Sequence, residues 1–283
     1  MAFAENSPDL GAITTPPVPA WSRRLSRGTI EEASFFSGAA LSALHHAVQN
    51  EAVPWALLRD RLALQAAEAS LALSGRSERA ADLRDEVHLL RPSDLPGPGG
   101  ATYQLWRRAV ARRISVGTLQ KTLAKETPEQ IALWLDAGQG APVTRAAMVL
   151  QTVLAARPHA ETMALILADV ALAQALGWRH MMPLLGIGLK SKDLRKVGED
   201  LQQACHRAIP GPAADVIGMA NELVRRVARL RAIQPKLRAK GADEAVQVFL
   251  NQDAVTPAAL PLSDRSARRR AARRRLCSDP CRN

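Results

Sequence analysis

An all-α fold, an irregular bundle of about ten helices between a disordered N-terminal lead and an Arg-rich C-terminal tail, is predicted by three observations. Ala, Leu and Val dominate a chain that is 47% hydrophobic but only 4% aromatic, and such small interior residues let helices approach closely. Apolar residues recur with a helical period in one segment after another. Alternating β-branched runs of useful length are missing, as is any fixed repeat of roughly 30 to 45 residues. With 283 residues the chain can bury about 75% of its extended surface, enough for a substantial core.

The elements follow in order. Residues 1–26 are rich in Pro and small polar types and read as a disordered lead. The start "MAFAENSPDLGAITTPPVPAW" carries an early acid and four prolines, which excludes a secretory signal. Thr29 with Glu32 forms a capping box, followed by a stripe of Ala33, Phe36, Ala40, Leu44 and Ala47. Pro54 opens a second helix with Trp55, Leu58, Leu62, Ala66, Ala69 and Leu73 on one face, ending at Gly75. Ser77 to Leu90 supplies a third. "RPSDLPGPGG" (91–100) reads as a linker, since its prolines and glycines cannot sustain a helix or central strand. Thr127, Pro128 and Gln130 start another helix, and segments 143–156, 160–176, 192–208, 213–233 and 242–251 complete the series. Segment 160–176 is apolar on nearly every face and belongs at the centre. Its apolar run is too short and too interrupted, by Asp169 and Gln174, to cross a membrane. The domain plan is therefore a lead (1–26), an all-α domain (27–255) and a basic, disordered tail (256–283).

The formal charge of +11 is uneven. Residues 264–283 hold eight Arg and two Asp, contributing +6 and leaving +5 for the rest. Three cysteines, Cys205, Cys277 and Cys281, fit no disulfide scaffold, and a reducing cytoplasm is the expected setting.

Catalytic and metal signals are weak. Cys205 and His206 are sequence neighbours, so a helix points them about 100° apart. The reading is a buried thiol beside a surface histidine. His45 and His46 fail as a pair for the same reason, no His, Cys or carboxylate set has zinc spacing, and no cofactor is expected. "GIGLKS" (186–191) departs from a phosphate loop because Leu189 separates Gly188 from Lys190. Asp169, with Leu165, Ile166, Leu172 and Ala173 around it, is either an anchor paired with an Arg or a carboxyl whose pKa burial raises.

Two basic stretches remain. Leu95 to Lys125 contains Arg107, Arg108, Arg112, Arg113, Lys121 and Lys125 and no acid, with Tyr103, Trp106, Val110 and Ile114 on the apolar side. Leu223 to Ala242 contains seven positive residues and no acid, with Arg225 and Arg229 behind a stripe of Leu223, Val227 and Leu230 and Arg226 in the same run. A solvated Arg-rich face competes with a phosphate-contact reading. Because aromatic residues are few, duplex backbone suits these faces better than stacked single strands.

"GRSERAADLRDEVHLLRPSDLPGPGG" (75–100), "ALGWRHMMPLL" (175–185) and "IQPKLRAKGADEAVQVFLNQDAV" (233–255) together resemble a proteobacterial family, domain of unknown function 1403. The resemblance spans about residues 30 to 265 and implies no activity and no transferable catalytic residue. Members of that family continue beyond "LSDR" (262–265) with an apolar-patterned helix and a short β segment, like a small winged helix. Here, within "SDRSARRRAARRRLC" (263–277), the apolar alternation stops after Ala267, so residues from about 268 onward are read as a frameshifted or divergent end.

The expected function is non-enzymatic: binding a macromolecular partner, duplex DNA through the basic helix faces. A protein-interaction scaffold without nucleic acid is the alternative, and a helical enzyme with a site near Asp169 ranks below both. The partner's identity stays unknown at this level.

Overall fold

The computed structural model describes residues 14–23, 28–90, 94–237 and 241–255. Among them are twelve α-helices, two short 3-10 turns and no strand. In order the helices are α1 (Ile30–Val48), α2 (Trp55–Leu73), α3 (Ala80–His88), α4 (Pro98–Ala111), α5 (Val116–Thr122) and α6 (Pro128–Asp136). Then come α7 (Pro142–Ala156), α8 (Glu161–Ala175), α9 (Leu184–Gly188), α10 (Gly198–Ala208), α11 (Pro210–Ile233) and α12 (Ala242–Asn251). No helix among the described residues is long and apolar enough to cross a membrane.

The predicted caps explain several starts. The Thr29 hydroxyl accepts the Glu32 amide, and Thr127 accepts the Gln130 amide at 3.2 Å. Each satisfies one of the free N–H groups of a first turn. Every residue from Ala164 to Ala173 is buried, so α8 is the central helix, packed against α7. Helix α2 is buried on more than its predicted stripe, because α4 and α3 cover one side while α9 and α11 approach from another.

The five-residue α9 touches α2, α8, α10 and α11 and explains the "GIGLKS" segment. A Cβ on Gly186 would sit 2.5 Å from the Trp106 ring, and one on Gly188 would collide with the Ala208 carbonyl. These glycines serve close packing rather than phosphate binding. Trp106 donates its indole N–H to the Ser70 hydroxyl at 2.9 Å, tying α4 to α2 at the same junction.

Three expectations need correction. The 91–100 linker ends early: Pro98, Gly99 and Gly100 form the first turn of α4, where proline lacks no needed donor. Glu86 of α3 accepts the Gly100 amide at 2.8 Å, and a Cβ on either glycine would press on that side chain. Helix α10 starts at Gly198 rather than 192, because Gly198 takes a left-handed φ of 56°. Within the lead, residues 14–23 are docked. The Thr15 amide donates to Asn221 Oδ1 at 2.9 Å, the Asn221 amide donates back to the Thr15 carbonyl at 2.8 Å, and Val18 is in the core. The remaining lead and the 256–283 tail lie outside the described residues.

Candidate anion-binding site

The predicted basic residues of α4 do not share one fate. Arg107 turns inward: its Nε donates to Asp60 Oδ1 at 2.6 Å, and Asp60 is buried. Its charge is neutralised by α2. Arg108, Arg112 and Arg113 are exposed, with no ion pair among the described residues. On α11, Arg225, Arg226 and Arg229 are exposed, and Arg226 pairs with Glu222 one turn earlier. Helix α4 packs mainly on α2 and α3, and α11 mainly on α1, so the two groups belong to different packing partners.

The fold instead joins Arg113 to residues that the sequence kept far away. After α4 the chain turns into α5, where Ser115 and Thr118 cap each other reciprocally and the Thr118 hydroxyl donates to the Arg113 carbonyl at 2.8 Å. The Ile114 amide donates to the Arg179 carbonyl at 3.0 Å, bringing the loop after α8 alongside. That loop is fixed by the end of α8. Gly177 takes φ 69°, the Trp178 amide reaches back to the Ala173 carbonyl, and the Gly177 amide reaches the Gln174 carbonyl. This double closure is a Schellman ending, and it holds Arg179 and His180 beside Arg113.

Arg59 of α2 completes the group. Its Nε is buried without a hydrogen-bond partner, and burial holds its pKa below the ordinary arginine value. The His180 imidazole is pushed down to about 4, first by burial and then by Arg59, Arg113 and Arg179. Among the described residues, each charge acting on this ring is a guanidinium. Arginines from three separate elements thus act on a neutral imidazole, with no carboxylate of the described residues among the charges that shift it. Such a site offers guanidinium donors and unbalanced positive potential, which suits phosphate or carboxylate.

The other candidates are structural. Asp169 meets no arginine. Its two oxygens accept the Leu185 and Gly186 amides at 2.8 and 2.9 Å, so the anchor is the start of α9. Burial outweighs these amides and pushes the carboxyl up to about 8. Complete burial leaves no path for a substrate to reach it. His206 is buried, not superficial as expected, with Ser34 and Ser37 of α1 at its two nitrogens. Burial raises the Cys205 thiol far above its ordinary value. No group of three or more metal-ligating side chains exists among the described residues; Cys277 and Cys281 lie outside them.

The comparison with known families now bears on this geometry. Residues 9–277 match the model of a protein family of unknown function, DUF1403. The chain belongs to that family. The match includes the helices that build the cluster and runs through most of the arginine-rich segment, to Cys277, well past the end of the resemblance read from the sequence. No curated protein and no solved structure matches the chain.

Proposed function

We propose that this member of the family binds a polyanionic partner, duplex DNA, through Arg59, Arg113, Arg179 and His180, with Arg108 and Arg112 extending the contact along α4. The observation that carries this reading is the buried Arg59 Nε without a hydrogen-bond partner, together with Arg113 and Arg179, which the Ile114–Arg179 backbone bond brings together and which are in no ion pair among the described residues. Two like charges ~8 Å apart repel by about 2 kcal/mol at an effective dielectric near 20. A phosphate placed among them converts that repulsion into attraction. The role is binding rather than catalysis, and a reducing cytoplasm is the setting that suits the free, buried Cys205.

Duplex binding measured by fluorescence anisotropy against salt tests the proposal. Arg113→Glu with Arg179→Glu should flatten the slope of log affinity against log salt by about 2, since each lost phosphate contact removes roughly 0.9. Arg225→Glu with Arg229→Glu should change it less. Equal effects from the two pairs, or loss of binding only when the arginines of 268–275 are neutralised, would remove the cluster from the account.

A scaffold role without nucleic acid has one observation in its favour. Trp21 and Phe35 are 46% and 63% exposed and stack at 5.6 Å, and exposed aromatic pairs are favoured at protein interfaces. Nuclease-resistant co-purification that Phe35→Asp abolishes would support it.

A further inference from the structure

A cleft of about 440 Å³ lies between α1, the start of α7 and α10, within the range of small-molecule sites. Although 23% of the chain is charged, no Asp, Glu, Lys or Arg is among the residues lining it. Leu41, Val143 and Leu176 give it apolar walls, and His45, His206 and Ser34 give it polar ones.

The protons of these polar groups can be placed from their partners. Ser37 donates its hydroxyl proton to the Ser34 carbonyl at 3.0 Å. Its oxygen lies 2.6 Å from His206 Nδ1, so that nitrogen is the donor. His206 Nε2 then accepts the Ser34 hydroxyl at 3.2 Å. Burial pushes His206 down to about 4, so the ring stays neutral at physiological pH. Ser37 gives its proton to a carbonyl and is almost wholly buried, which removes it as a nucleophile despite the short contact.

His45 is arranged differently. The Trp178 indole N–H donates to His45 Nδ1 at 3.0 Å, leaving Nε2 as the nitrogen that carries hydrogen. Trp178 is held by the Schellman ending of α8, so the ring orientation is fixed. The Nε2–H finds no acceptor among the described residues. His45 is half-buried and lines the cleft, so this fixed donor faces water that a ligand oxygen can replace, in a cleft without charge.

The geometry points to a binding site for a small uncharged molecule with an apolar ring and one carbonyl-type acceptor. Its ring lies against Leu41, Val143 and Leu176, and its oxygen accepts from His45 Nε2–H. The site is separate from the arginine cluster and stands whether or not DNA is bound there.

Gly38 provides the test. It lines the cleft, and a Cβ built there meets nothing within 4 Å. Gly38→Leu therefore meets no opposition at its Cβ, adds bulk to the lining of the cleft and favours the helix. Acetophenone and 1-indanone are the probes, with benzoate and benzylammonium as charged counterparts, read by saturation-transfer NMR and the Trp178 indole resonance of the full chain. The neutral ketones should bind in the millimolar range expected for molecules of this size. They should move the Trp178 signal and lose both effects in Gly38→Leu. The charged analogues should bind at least about tenfold more weakly, because nothing in the cleft offsets their desolvation. Failure of both ketones to bind, binding that survives Gly38→Leu, or equal binding of benzoate would overturn the proposal. The indole signal locates the ligand independently of the variant.

Discussion

Helices α2 and α4 pack on each other, and along that contact arginine plays two opposite parts. Arg107 reaches across to the buried Asp60, and next to it Arg61 pairs with Asp253 at 2.6 Å, so positive and negative groups balance. One residue before Asp60, Arg59 faces the His180 cluster, where only guanidiniums act on the ring. Elsewhere some surface charges are paired, as in Lys196–Asp193 and Arg157–Glu126, while the exposed Arg225 and Arg229 of α11 are in no ion pair among the described residues. What sets the His180 site apart is that Arg59, Arg113 and Arg179 come from three separate elements and that the buried Arg59 Nε has no hydrogen-bond partner. The contrast separates an arginine that holds the fold from arginines that no carboxylate pairs among the described residues.

The contrast is broken most severely by removing the acid from the balanced side. Asp60→Ala leaves Arg107 uncompensated in a partly buried place and should cost about 3 kcal/mol in a denaturant titration. Arg113→Ala should stay within about 0.5 kcal/mol of the parent, since nothing in the fold depends on its charge. If the two variants lose equal stability, the distinction between the two sides fails.

Comparing two histidines sharpens the point further. His206 and His180 are both held near 4, but His206 by burial alone and His180 by burial with three arginines. A folded value below the unfolded one of about 6.5 means that the unfolded chain takes up more protons between those limits. The stability His206 contributes is complete above about pH 6.5 and is lost as pH falls towards 4, by about 2 to 3 kcal/mol. His206→Gln should flatten that part of the stability profile. The half-exposed His180 contributes less, because solvent screens its neighbours. Arg179→Glu should raise the His180 pKa in an NMR titration while leaving His206 unchanged; a matching rise at both would mean that the arginines are not the local cause.

The smallest effect concerns the cleft. Gly38→Ala should stabilise α1 by about 0.5 to 1 kcal/mol, since glycine is a poor helix former and no neighbour opposes the methyl group. Gly186→Ala should do the reverse, because Trp106 already occupies the space.

Much of the fold was legible in the sequence because its signals are local. Thr29 and Thr127 announce helix starts by their own chemistry, and the all-round apolar character of α8 follows from composition alone. The short α5 and α9 escaped because five to seven residues carry too little periodicity. Docking of residues 14–23 depends on Asn221, a partner some two hundred positions away, and composition carries no trace of it. The same reason hid most of the candidate site. Arg112 and Arg113 stand out in an acid-free run, but Arg59, Arg179 and His180 join them only through tertiary packing. Arg107 was misleading in the opposite sense, because its counter-ion Asp60 lies on another helix.

The most direct test of the central claim is the His180 imidazole resonance near pH 6, followed while a short duplex DNA is added. Phosphate seated among Arg59, Arg113 and Arg179 should offset their repulsion and raise the His180 pKa, moving the signal towards the imidazolium position. Binding that saturates while the His180 signal stays where it was would place the DNA elsewhere on the protein and contradict the account.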